Sequence, residues 1–177
     1  MRKRWMSRVR LAARVLIAGL VPGLSLGAGA TAGPAPLGAQ EAELRARLAA
    51  SATIVRRSDD TLVLFYPVRL GFAPDLPQLL PAFTAVLDEL ARSLRRHAHM
   101  RLTVVVYTDA IGRREFNQAQ SQQRAEAIAT YLVGRGVAAE RIRPRGAGES
   151  APLSAPDTPE GRDLNRRVEL SISALSS

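Results

Sequence analysis

"YTDAIGRREFNQAQSQQRAEAIATYLVGRG", Tyr107 to Gly136, contains the change of character that decides how the chain is read. Its second half is an amphipathic helix whose apolar stripe runs through Ala125, Ile128 and Leu132. Followed backwards, that stripe turns polar, through Arg124, Ser121 and Asn117. At about 100° per residue, Asn117 to Ser121 passes a full turn by about 40°, and Asn117 to Arg124 falls about 20° short of two turns. All three therefore share a face with Ile128. Asp109 lies just upstream, at the end of an apolar strand.

Outward from this stretch the pattern is regular. "RLTVVVY" (Arg101–Tyr107) is apolar at both parities, as a central strand is. The helix after Asp109 starts near Arg114 and ends at Gly134 or Gly136. Upstream, Leu76, Leu80, Phe83, Leu87, Leu90 and Leu94 repeat in steps of three and four, which predicts a helix over about 79–96. Pro81 sits in its first turn, where a missing N–H costs little. "ATIVRR" and "TLVLFY" form a hairpin around "SDD", and "PVRLGFAPDLPQL" is a proline-punctuated loop. Downstream come a short strand "RIRPRG", a long loop with three prolines, and a final strand "RRVELSISAL". The order is ββ-α-β-α-β-loop-β. It predicts an α/β (α+β) two-layer sandwich, with two main helices on one face of a four- to five-stranded mixed sheet.

The charge is unevenly placed. The formal net charge of +9 suggests nucleic acid, but residues 1–39 hold six basic residues and no acidic one. Without them, 19 basic residues face 16 acidic ones, and no basic run carries interleaved aromatics. No nucleic-acid partner is expected. "MRKRWMSRVR", the apolar "LAARVLIAGLVPGLSL" and the small-residue "GAGATAG" read as a secretory signal, with cleavage expected after Ala30, Ala32 or Ala39. Residues 1–39 are thus read as signal peptide and linker, 40–51 as a short helical lead-in ("EAELRARLAAS"), and 52–177 as one domain. The chain has no cysteine, which excludes disulfides, thiol chemistry, a lipid-modified cysteine and Cys-based metal sites.

Taken singly, Asn117, Ser121 and Arg124 decorate a helix start and Asp109 is a turn residue. Taken together they converge. A central strand delivers its last residue to the sheet edge where ligands bind in open α/β architectures, and the returning helix brings its N-terminus there. Arg124 offers a planar fork to a carboxylate and Asp109 offers acceptors to an ammonium. Such a pair complements a zwitterion.

Thr108-Asp109, Gly112, Asn117, Ser121, Arg124-Ala125, Tyr131-Leu132, Gly146-x-Gly148-Glu149, Pro152 and Gly161-Arg162-x-x-Asn165-Arg166-Arg167-Val168-Glu169 resemble, in order and spacing, the OmpA-like peptidoglycan-binding domain family. The resemblance spans about Ala52 to Ile172. It implies non-covalent binding of the diaminopimelate group of peptidoglycan stem peptides, with Asp109 taking the ammonium, Arg124 the carboxylate, and Asn117 and Arg166 lining the pocket. Thr108, Ser121 and Asn165 are supporting positions. It implies no cofactor, no metal and no catalysis, a periplasmic location with possible outer-membrane association, and envelope proteins as further partners. Strand parity puts Arg166 with Val168 and Ile172, and Arg167 on the other face. The chain departs from the family pattern at Tyr107 (usually His), at Gln120 (usually Leu), and in "VRLGFAPDL", which lacks a Phe-x-Phe-Asp pattern and leaves the wall formed by 67–76 unplaced.

Two further readings use the same residues. One is an inner-membrane-anchored, stator-like scaffold that keeps its N-terminal segment, and the other is a protein-interaction adaptor without wall binding. Glu149 reads as a loop anchor, Gly146 and Gly148 as positions with unusual backbone angles, and His97 and His99 as solvated residues at a helix end. Asp109, Glu115 and Glu126 could be assembled into a carboxylate pair for glycan hydrolysis, but Glu126 lies on a different helix face from Arg124.

Overall fold

The computed structural model describes residues 36–58 and 60–175. The signal-peptide reading of residues 1–30 lies outside these. Five strands, β1 (Thr53–Ser58), β2 (Thr61–Pro67), β3 (Met100–Tyr107), β4 (Ile142–Gly148) and β5 (Arg167–Ala174), form one sheet in the order β1-β2-β5-β3-β4. The β3–β4 pair is parallel and the other pairs are antiparallel. This is the expected mixed sheet.

Two long helices cover one face, α3 (Pro81–Arg96) and α4 (Arg114–Gly134). Leu62, Leu64 and Tyr66 of β2, Leu102, Val104 and Val106 of β3, and Val168, Leu170 and Ile172 of β5 project beneath them into one core. Phe83, Leu87, Leu90 and Leu94 of α3 are wholly buried against it. Burying a large apolar side chain stabilises by about 1.5–3 kcal/mol, so this layer is the main source of stability in a chain without disulfides.

The opposite face is only partly covered. Val63, Phe65 and Leu164 make a small second cluster there. β3 therefore departs from expectation: its burial alternates, and Arg101, Thr103, Val105 and Tyr107 are half-buried. Its apolar content at both parities reflects a central position between β5 and β4, not helices on both faces.

Two short helices lie where loop was expected, and the expected lead-in helix starts earlier than its predicted bounds. The lead-in helix α1 runs from Pro36 to Leu48, so it starts inside the presumed linker. Leu37, Leu44 and Leu48 are buried, and Gln40 Nε2 donates to Ser93 Oγ of α3 at 3.1 Å. Docking on α3 supplies what a short isolated helix lacks. A one-turn helix α2 (Val68–Gly71) follows β2, and α5 (Pro159–Asn165) lies in the long loop. The N-terminus of α5 is capped by Thr158, whose Oγ1 accepts from Gly161 N at 3.0 Å.

Sheet register brings four segments to one edge. Val106 lies opposite Val168, and Pro67 lies opposite Arg167. The C-terminal ends of β2 and β3, the N-terminal end of β5 and the first turns of α4 therefore meet there.

Candidate functional site

Asp109, Asn117, Arg124 and Arg166 line one cleft of about 500 Å³ at this edge, together with Thr108 and Gln120. Spacing in the sequence brings Asp109, Asn117 and Arg124 to one edge, and Arg166 is named there only from the family resemblance. Asp109 is buried at 8 % exposure, Arg124 at 6 % and Asn117 at 4 %.

Asp109 is not empty-handed. Its Oδ2 accepts from Arg166 Nη1 at 2.6 Å, and its Oδ1 accepts from Ile111 N at 3.2 Å. Arg166 also donates from Nη2 to Asp163 Oδ1 at 2.9 Å. It reaches the cleft from the end of α5, since β5 begins one residue later, at Arg167. Arg167 points to the opposite face, as parity required. There its guanidinium lies 3.7 Å from the centre of the Tyr107 ring and donates to Glu169 at 2.7 Å. Burial pushes the Tyr107 phenol up, and Glu169 adds to that shift.

Arg124 is in a different situation. Its Nη1 donates to Gln120 Oε1 at 2.9 Å, its Nε points at Leu76 O at 3.5 Å, and its guanidinium stands 5.5 Å from the Phe72 ring centre. No carboxylate among the described residues pairs with it. Burial holds its pKa below the ordinary arginine value, and the Asp75 charge acts in the opposite direction. The side chain stays a cation, because arginine does not give up its proton in proteins. A buried cation with no ion-pair partner costs stability, and the Asp75 charge offsets its desolvation only in part, so its charge is available to an anion entering the cleft.

The supporting residues fix the frame. Asn117 Nδ2 donates to Ile111 O at 3.1 Å, Glu149 Oε2 at 3.2 Å and Asp109 O at 3.3 Å, locking the β3–α4 turn. Its Nδ2 donors are consumed by this task. Thr108 Oγ1 donates to Asp109 O at 2.9 Å. Ser121 and Asn165 stand outside the cleft: Ser121 Oγ accepts from Gly148 N at 3.0 Å, and Asn165 Oδ1 accepts from Leu153 N and Ser154 N. Glu149 is a loop anchor, as expected. Of the two glycines, only Gly148 has a positive φ, of 53°. Gly146 is required for another reason, since a Cβ there would lie 2.3 Å from Gln122 N of α4.

The wall formed by 67–76 is now placed. Phe72, Ala73, Pro74 and Asp75 close the cleft opposite α4, held by an isolated bridge between Phe72 and Leu79. Phe72 and Gln120, whose side chains both meet the Arg124 guanidinium, carried no periodic signal. Ile111 and Phe116 line the cleft and are more than half exposed. No group of three or more metal-ligating side chains occurs among the described residues.

The fold and the edge cleft define an open mixed-sheet α/β domain with opposed charges at the C-terminal end of a central strand. The chain belongs to the OmpA family, whose profile matches residues 71–166. It is 37% identical over 136 residues to probable lipoprotein YiaD of Escherichia coli, covering 77% of this chain and 62% of that one. It is 40% identical over 103 residues to the peptidoglycan-binding protein ArfA of Mycobacterium tuberculosis, covering 58% of this chain and 32% of that protein. The chain thus spans less than two thirds of the length of either relative. The cell wall anchor of the T6SS from Pseudomonas aeruginosa superposes with a TM-score of 0.65 at 25% identity, covering 76% of this chain and 96% of that one.

Proposed function

We propose that the cleft binds peptidoglycan without chemistry, by gripping the zwitterionic centre of a diaminopimelate side group. The carrying observation is Arg124, buried at 6 % exposure beside a cleft that also holds Asp109, and unpaired with any carboxylate among the described residues. A ligand carboxylate would supply the missing counter-charge through a fork-to-fork contact. The ligand ammonium would share Asp109 with Arg166, whose side chain is 39% exposed and has room to shift. Support also comes from ArfA, which is named a peptidoglycan-binding protein, and from the cell wall anchor of similar fold. On this reading the protein is exported and works in the periplasm, tethering or organising the envelope.

Co-sedimentation with purified sacculi tests it. Asp109→Ala and Arg124→Ala should each weaken binding by at least about tenfold, since a charge-assisted hydrogen bond contributes roughly 1.5–3 kcal/mol and 1.4 kcal/mol is one decade. Folded variants that sediment like wild type would refute this reading.

A further inference from the structure

Most arginines of the domain face carboxylates, as Arg57 faces Glu169 and Arg69 faces Asp163. Arg113, Arg114, Arg143 and Arg145 do not: their side chains make no hydrogen bond or ion pair with any described residue, and all four are exposed. Arg113 and Arg114 stand at the start of α4, and Arg143 and Arg145 on β4.

Arg114 and Arg145 line a second cleft, of about 490 Å³, with Gln118, Glu149 and the turn from Gly146 to Pro152. The floor of this cleft is firmly built. Gln118 Nε2 donates to Gly146 O at 2.8 Å, Gly146 N donates to Gln122 Oε1 at 2.7 Å, and Ser150 Oγ donates to Ala147 O at 2.7 Å. Gly148 and Ala151 both hold positive φ, 53° and 50°, and Ala151 O is secured by Arg167 Nη2 at 3.1 Å. The only carboxylate lining it, Glu149, already receives the Asn117 amide. Two guanidinium groups thus outweigh one engaged carboxylate. Charges on an edge strand also discourage sheet-to-sheet pairing. That role accounts for Arg143 and Arg145 but not for Arg114, on a helix and lining the same cavity.

The two clefts are joined through one hydrogen bond. Asn117 lines the first, Glu149 lines the second, and the 3.2 Å contact between them forms the partition. We infer that the second cleft is an anion subsite that takes a further carboxylate of the same wall polymer, so that the ligand wraps the first turns of α4. Stem peptides carry several carboxylates, and arginine forks match them. This inference rests on the peptidoglycan reading of the first cleft.

The test uses the whole protein and an Arg114→Gln/Arg145→Gln double variant, which removes two exposed, uncontacted charges. Sacculus co-sedimentation is measured from about 50 to 300 mM salt, over which the screening length falls from about 14 Å to about 6 Å, enough to weaken an exposed ion pair. At the low end the double variant should bind about three- to tenfold more weakly, and the gap should narrow as salt rises. Its affinity for free meso-diaminopimelate, which fills only the first cleft, should equal that of wild type. Arg114→Lys/Arg145→Lys should recover only part of the sacculus affinity, since it keeps the charge without the fork. A parallel loss of free diaminopimelate binding would overturn the subsite, because the effect would then run through the first cleft. Wild-type binding to phosphatidylglycerol vesicles, abolished in the Gln variant, would assign the cleft to lipid phosphate instead. Asp109→Ala alongside separates the two failures. A double variant that matches wild type beside an inactive Asp109→Ala overturns the second cleft alone. If both sediment like wild type, the peptidoglycan reading fails with it.

Discussion

Arg166 holds Asp109 through a 2.6 Å contact, whereas Arg124, the buried cation of the same cleft, has no ion-pair partner among the described residues. The register that sets Val106 opposite Val168 places these two residues together, and the contact ties the β3–α4 turn to the end of α5. Arg166 is partly exposed, so solvent screening reduces the worth of the pair. A double-mutant cycle of Asp109→Ala and Arg166→Ala, read by urea unfolding, should give a coupling of about 0.5–1.5 kcal/mol. Additivity within about 0.3 kcal/mol would show that the pair does not couple in solution.

Arg124 gives the opposite case, a residue retained against the stability of the free protein. Methionine has a similar length and no charge to desolvate. Arg124→Met forfeits the contacts to Gln120 and Phe72 but relieves the desolvation of a buried cation that has no ion-pair partner. The free variant should be as stable as wild type or more stable by about 1 kcal/mol, with sacculus binding lost. Arg124→Lys should also fail to bind, since an ammonium cannot reproduce the fork. A loss of more than about 1 kcal/mol in Arg124→Met would mean that the guanidinium holds the fold together.

Two glycines should respond to alanine with opposite signs. At Gly146 a methyl group would lie 2.3 Å and 2.6 Å from the backbone of Gln122, so α4 must lift off β4. Gly146→Ala should lose at least about 2 kcal/mol. At Gly134, the last residue of α4, nothing lies within 4 Å of the added carbon. Gly134→Ala should gain about 0.5 kcal/mol from helix propensity. Thermal or urea melts of both variants check the pair.

Periodicity made the main elements legible. The 3.6-residue stripe of α3 and the alternation of Val168, Leu170 and Ile172 each have one buried solution, and the structure adopts it. The polar interruption at Asn117, Ser121 and Arg124 was legible for the same reason, because it breaks a stripe that packing would otherwise fill. α2 and the 72–76 wall were not, since one turn of helix among prolines leaves no period to read. The partners of the site residues were equally hidden. That Asp109 meets Arg166, 57 positions away, depends on sheet register, and the Phe72–Arg124 contact depends on a loop path. The start of α1 at Pro36 was missed because it is decided by docking of Leu37, not by local propensity.

That docking has an electrostatic part with a testable pH dependence. Glu41 of α1 accepts from Arg45 Nε at 2.8 Å and also pairs with Arg56 of β1, so one carboxylate fastens the helix to the edge strand. Burial is the largest single influence on Glu41 and favours its neutral form. The hydrogen bonds and charges of Arg45 and Arg56 together outweigh it, and its pKa lies below the usual glutamate value of 4.5. In the unfolded chain Glu41 takes up its proton at the ordinary value, whereas in the folded chain it does so at lower pH. Its contribution is therefore complete above about pH 4.5 and is lost as the pH falls through the folded value. Glu41→Gln should lower stability by about 1 kcal/mol at pH 7, given the partial exposure of both arginines. The difference from wild type should shrink towards zero in acid, near pH 2–3, where wild type carries a neutral side chain as well. Urea unfolding of the two proteins at both pH values decides it: a gap that stays constant with pH would remove Glu41 from the electrostatics of docking.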